Sequence, residues 1–277
     1  MGRTIRQERN VRVAERLKET WEKNYLANRP LIRKLAPLQP KLNRTPDLPA
    51  LVVGAGPSLN NNIGDIDQYL YDIIAVDKVV PRLVANGIVP DYIVALNSVP
   101  TDVKKWIDCA DEPDVTLVMP CTVDPATYED WVGGEMMFIN CPLDTGISMR
   151  NTSECNYPSL GIGSNAGTFG WFMALYLGHN PIAYCGIDFS FLTKEEVLRT
   201  HDYPTNYNII EMTDRNGDVR YLDIGWLDMA ESFQDSVRLY RELGNIETYN
   251  VTEGGINYSQ YVHDKTLKEF NQLWMRK

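Results

Sequence analysis

The chain is predicted to form an α/β fold: an open, mostly parallel sheet flanked by helices, with a helical extension in front of it. Three observations predict this. Apolar runs of strand length recur from Ala50 onward and alternate with segments of helical length. The first run, Leu51-Val52-Val53, is apolar throughout and breaks into Gly54-Ala55-Gly56-Pro57-Ser58, as a buried parallel strand does when it opens into a tight turn. Polar or glycine residues follow the runs repeatedly, at Gly54–Ser58, Asp77, Asn97-Ser98 and Asp188. In such sheets ligands bind outside the C-terminal strand ends, near the point where strand order reverses.

Bulk properties narrow the function classes. At 277 residues the chain can bury a large core, and 44% apolar with 23% charged residues is globular in character. A net charge of −10 argues against a nucleic-acid backbone or an anionic membrane as the main partner. The five cysteines form no C-x-x-C pair, so packed, reduced thiols are expected and no metal site is. No hydrophobic region of signal-peptide type and no run of membrane-spanning length stands out. The expectation is a cytoplasmic protein.

Residues 1–45 read as the helical extension and 46–277 as the nucleotide-binding, catalytic domain. Val11, Val13, Leu17, Trp21 and Leu26 form a narrow apolar stripe among charges, predicting a helix over Arg6–Leu26. A second short helix over Leu31–Leu35 is expected to stop before Pro37 and Pro40. The extension either packs on the rim of the main domain or serves as a dimerisation arm. Strands are predicted at Ala50–Val53, Ile73–Val76, Tyr92–Leu96, Val115–Met119, Met136–Ile139, Pro181–Cys185 and Glu247–Asn250. Helices are predicted at Pro81–Asn86, Gly167–Leu177, Met229–Leu243 and Lys265–Met275.

Four clusters carry candidate chemistry. Gly54 and Gly56 let a ligand approach the main chain, while Ser58 adds a hydroxyl beside freed N–H groups, a combination suited to an anion. In Gly163-Ser164-Asn165, Ser164 or Asn165 can cap the following helix, whose positive end attracts phosphate or carboxylate. Gly186-Ile187-Asp188-Phe189 follows a strand and leads to His201, which sits in a loop. Histidine is the usual base for a hydroxyl nucleophile near neutral pH, and of the three histidines His201 is the candidate. The segment Asn250–Gly255, with Glu253 and Gly254, could close over a ligand. Walker, Gly-x-Ser-x-Gly and three-glycine dinucleotide motifs are absent, which removes support from kinase-like and hydrolase-like readings.

Taken together, Ala55-Gly56-Pro57-Ser58-Leu59, Asp77, Asn86-Gly87-Ile88-Val89-Pro90-Asp91, Gly186-Ile187-Asp188-Phe189 and Thr252-Glu253-Gly254-Gly255 resemble the DUF115 family. That family includes the motility-associated factor proteins (flagellin glycosyltransferases) and archaeal 6-hydroxymethylpterin diphosphokinase-like proteins. The landmarks also look like those of bacterial sialyltransferases that use CMP-sialic acid. The resemblance implies a Rossmann-like, sialyltransferase-like fold and a metal-independent glycosyl transfer from a CMP-linked, sialic-acid-like sugar to a glycan or protein hydroxyl. It implies that Gly54, Gly56, Pro57 and Ser58 hold the nucleotide phosphate. Asp77, Asn97, Ser98, Ser164, Asn165, Glu253 and Gly254 would line the donor cleft, and His201 and Asp188 would be catalytic. No tightly bound cofactor is then expected. Where sialyltransferases tend to carry asparagine this chain has Asp77. The pterin diphosphokinase branch would need Mg²⁺, but its acidic Asp-Leu-Asp-Gly stretch reads Ala95-Leu96-Asn97-Ser98 here; the other alternative is a non-catalytic relative that binds a nucleotide or glycan.

Overall fold

The structure, a computed structural model, describes residues 5–35, 48–99, 102–110, 112–140, 145–155, 161, 163, 165–199 and 209–275. Eight strands form one sheet: β1 (Ala50–Val53), β2 (Asp72–Val76), β3 (Tyr92–Val94), β4 (Thr116–Pro120), β5 (Met136–Ile139), β6 (Ile182–Cys185), β9 (Thr248–Asn250) and β10 (His263–Asp264). Between β6 and β9 in the chain, β7 (Ile209–Thr213) and β8 (Val219–Asp223) form a separate antiparallel hairpin. The sheet order is β10-β9-β6-β1-β2-β3-β4-β5, and each neighbouring pair is parallel. Strand order therefore reverses at β1, with β2 on one side and β6 on the other. The α-helices are α1 (Ile5–Ile32), α2 (Leu59–Asn62), α3 (Val80–Ala85), α4 (Val103–Ile107), α5 (Thr145–Cys155), α6 (Ala166–Leu177), α7 (Lys194–Arg199), α8 (Ile224–Gly244) and α9 (Leu267–Trp274).

The core follows from composition. Every residue of β1 and β6 is fully buried, as continuous apolar strands covered on both faces must be. Helix α6 is apolar around most of its circumference and packs across β1, β2 and β6. It starts at a capping box between Asn165 and Thr168 and ends at Gly178 in the left-handed conformation, φ 94°. Because α6 runs into β6, its N-terminus lies at the C-terminal edge of the parallel sheet.

The N-terminal segment differs from its expected two-helix form. A single helix, α1, runs through Pro30. The buried stripe Trp21, Asn24, Tyr25, Asn28 and Ile32 continues past the proline, so tertiary packing outweighs the lost backbone bond. The indole N–H of Trp21 donates to Ser98 Oγ at 2.9 Å, and Asn24 Nδ2 donates to the carbonyls of Ser98 and Thr122. Asn28 Nδ2 donates to the carbonyls of Cys121 and Val123, while Tyr128 donates back to Asn28 Oδ1 at 2.6 Å. The helix thus covers the chain just beyond β3 and β4, and its apolar stripe shares the core of the sheet.

Three of the helices complete the site's surroundings: α2 directly after the β1 turn, α8 after β8, and α9 at the end. Helix α8 begins five residues before the predicted Met229, because Asp223 caps it by accepting from the N–H groups of Gly225 and Trp226. Among the described residues no helix is long and apolar enough to cross a membrane.

Candidate functional site

The site lies where the sheet order reverses. Gly54 N–H donates to the Cys185 carbonyl and Gly56 N–H to the Gly186 carbonyl, both at 2.8 Å, so the turns after β1 and β6 run back to back. Neither turn tolerates a side chain there. A Cβ on Gly54 would lie 2.3 Å from the Gly186 carbonyl oxygen, and one on Gly56 would lie 1.9 Å from Asp188 Oδ2. Gly186 takes φ 62°, and Phe189 holds φ 51° without being glycine, so the turn after β6 is under backbone strain.

Between these turns opens a cleft of about 260 Å³. Its floor is Gly54–Gly56 and Gly186–Asp188; Asp77 and Lys78 at the end of β2 close one side. The N-terminus of α6, from Asn165 to Gly167, faces it, and Phe189, Phe191 and Trp226 form an aromatic wall. Trp226 meets Phe191 edge-on at 5.6 Å and Phe189 at 6.3 Å between ring centroids. The helix end brings N–H groups and a positive dipole end, and the aromatic wall brings a flat apolar surface.

Two carboxyl groups define the electrostatics. Asp188 is 2% exposed and accepts from Ser58 twice, from Oγ at 2.7 Å and from the backbone N–H at 3.2 Å. Burial pushes its pKa up to about 6, against the opposing pull of the Ser58 hydrogen bonds and the positive charge of Arg220. Asp77 is 7% exposed, and among the described residues its carboxylate receives a hydrogen bond only from the Lys78 N–H, at Oδ1. Burial raises it to about 6 as well.

The structure brings Gly54, Gly56, Asp77, Asn165 and Asp188 together in the cleft lining. Ser58 sits behind Asp188, buried and hydrogen-bonded to it. Asn97 and Ser98 lie off the lining, two strands from β1. There Ser98 meets α1, and the Asn97 carbonyl accepts from the Asp124 N–H. Glu253 and Gly254 line a neighbouring pocket of about 420 Å³ with Arg215, Asn216 and Asp264. Glu253 Oε1 there accepts from Asn62 Nδ2 and from the Leu267 N–H at the start of α9. Ser164 and His201 lie outside the described residues.

Phe191, Trp226, Lys78 and Arg220 are absent from the sequence-based expectations. Arg220, on β8, is 5% exposed and pairs with the buried Asp214 at 2.8 Å, close against Gly254. Two signals point towards them: the alternating run through Asn216-Gly217, which marks a hairpin, and Asp223 ahead of Trp226, which marks a helix start.

A doubly wound parallel sheet with a cleft at the reversal of strand order places the chain among the Rossmann-like α/β proteins, whose ligands commonly bind at that point. A model of the 6-hydroxymethylpterin diphosphokinase MptE-like family matches residues 23–194, and the chain belongs to that family. Among solved structures it is similar to the "MAf glycosyltransferase from Magnetospirillum magneticum AMB-1", with a TM-score of 0.63 at 20% identity. The match covers 85% of this chain and 38% of that one, so the chain spans well under half of that protein's length. At this identity the likeness speaks for the fold. No curated relative matches the chain.

Proposed function

We propose that this chain is a glycosyltransferase taking its sugar from a nucleotide-activated donor, a CMP-linked, sialic-acid-like sugar being the leading choice. The observation that carries this reading is the convergence of Asp77, the α6 N-terminus, Asp188 and the Trp226 wall on one cleft at the strand-order reversal. The nucleoside would sit towards β2 and the transferring sugar towards β6. The N–H groups at the start of α6 would stabilise the leaving phosphate.

Transfer would be a direct displacement at the anomeric carbon, inverting and without a metal ion. The acceptor hydroxyl attacks as the bond to the phosphate oxygen breaks, and a base takes the hydroxyl proton. His201 is the proposed base; Asp188, which lines the cleft and whose pKa near 6 leaves it mostly ionised at neutral pH, is the second candidate. Calorimetry against CMP, UDP and GDP, followed by donor-cleavage assays with CMP-sugars, tests the reading. Binding of CMP at sub-millimolar concentration is expected, and no nucleotide binding at millimolar concentration overturns it.

The second reading is the diphosphoryl transfer that the family description names. Two buried carboxylates on one cleft favour it, since Mg²⁺ is commonly held by one or two carboxylates together with substrate phosphates. Asp77 and Asp188 would hold the ion, which would neutralise charge on the transferring group. AMP release that requires both ATP and Mg²⁺ decides for this reading.

A further inference from the structure

We infer that Asp77 reads the ribose of the bound nucleotide: its carboxylate accepts hydrogen bonds from the 2′- and 3′-hydroxyls, so the cleft selects ribonucleotides over deoxyribonucleotides. The inference deepens the nucleotide-donor reading and rests on it.

Three observations carry it. Asp77 directly follows β2, the strand beside the glycine turn of β1, and stands 21 residues after Gly56. In doubly wound sheets an acidic residue about 20 positions beyond the first glycine turn reaches the ribose. The side chain lines the cleft although it is 7% exposed. Finally, only Oδ1 has a donor among the described residues, the Lys78 N–H at 2.7 Å, which leaves Oδ2 open to a ligand. In the cleft a ligand hydroxyl can take the place of solvent at Oδ2, and a vicinal diol supplies two donors to a carboxylate. Lys78 is exposed beside it and adds no second buried charge. A deoxyribose would leave the acceptor desolvated and unpaired, which discriminates more strongly than a missing apolar contact does.

The test measures binding of CMP, UMP, AMP and GMP and of their 2′-deoxy counterparts to the full chain in EDTA. For whichever base binds, the ribonucleotide is expected to bind about ten- to a hundred-fold more tightly. Asp77→Ala should bring the pair to within about three-fold of each other by weakening only the ribonucleotide. Asp77→Asn keeps an acceptor for the Lys78 N–H and serves as the folded comparison, with an intermediate ratio. Equal affinities in the wild-type protein overturn the assignment while leaving the nucleotide reading in place, and no variant is needed to see it. A preference that survives in Asp77→Ala, or that appears only when Mg²⁺ is added, also overturns it. Failure of every nucleotide to bind removes the donor reading itself.

Discussion

Ser58 gives both its hydroxyl and its backbone N–H to the carboxylate of Asp188, a residue 130 positions away. The first turn of α2, where a glycine loop commonly receives a phosphate, is therefore already filled by an anion the chain carries itself. Two consequences follow for the cleft. The open helix end is that of α6, so a donor phosphate is expected there. Asp188 is also held in one orientation by two donors, as a positioned base must be.

That pairing predicts a shift in the pH–rate profile. The Ser58 hydroxyl favours ionised Asp188, so Ser58→Ala removes a lowering contribution and raises a pKa already near 6. If ionised Asp188 takes part in transfer, the acidic limb of kcat/KM moves to higher pH in Ser58→Ala. An acidic limb unchanged within error rules Asp188 out as the titrating group. Loss of one charge-assisted bond should also cost about 1.5–3 kcal/mol of stability, to be read by urea denaturation.

The contact between the turns of β1 and β6 predicts a position with no tolerance. A methyl group on Gly54 meets the backbone of Gly186 at 2.3 Å, and one on Gly186 meets the Gly54 carbonyl at 2.5 Å while φ is 62°. Backbone cannot turn aside as a flexible side chain can. Gly54→Ala is expected to destabilise the chain by about 3 kcal/mol or more and to abolish nucleotide binding. Gly64→Ala, where a Cβ meets nothing, is the matched control and should be near neutral. Equal melting temperatures for the two variants contradict the packing described.

Helix α1 supplies a third test. Asn28 is fully buried and takes part in three hydrogen bonds, two of them to carbonyls in the turn after β4. Asn28→Ala removes these three buried hydrogen bonds, at a cost of about 2–4 kcal/mol. Asn24→Ala should act similarly through Ser98 and Thr122. Were the extension only a dimerisation arm, these changes would alter the oligomeric state and leave the monomer's stability untouched.

How much of this was legible in the sequence depended on how local the signal was. Strands such as Leu51–Val53 and Ile182–Cys185 announced themselves because full burial on both faces demands continuous apolar runs. Gly54, Gly56, Asp77 and Asp188 were singled out because they follow strand ends, and Asn165 because it can cap a helix; all five line the one cleft. Partnership was not legible. Nothing local shows that Asp188 returns to Ser58, that Ser98 meets Trp21, or that Glu253 turns towards α9. Those contacts join residues far apart in the chain, and hydrophobic period carries no information about them. The break expected between Leu26 and Leu31 is absent for a related reason: the stripe Trp21 to Ile32 runs through Pro30 because asparagines on that stripe bond to distant carbonyls.

Asp77 ties stability to function in a way that pH can separate. Its folded pKa, about 6, lies above the value of 3.8 for an exposed aspartate. The folded state thus binds its proton more tightly than the unfolded chain does. The stabilising contribution is fully present below about pH 4 and is lost as pH rises through about 6, where the carboxylate must ionise in a buried position. An asparagine in its place would carry no such charge, and its amide oxygen can still accept from the Lys78 N–H. Asp77→Asn is therefore expected to match the wild type at about pH 4, then to become the more stable of the two as pH rises, and to level off above about pH 7. A pKa raised from 3.8 to about 6 bounds the gain at about 3 kcal/mol. Urea denaturation at several pH values reads this directly, and a difference that is constant with pH would show that the carboxyl does not titrate in the folded state as described. The same variant should lose part of the ribonucleotide preference. A substitution that raises stability while weakening ligand selection is what a binding group held against its solvation preference produces.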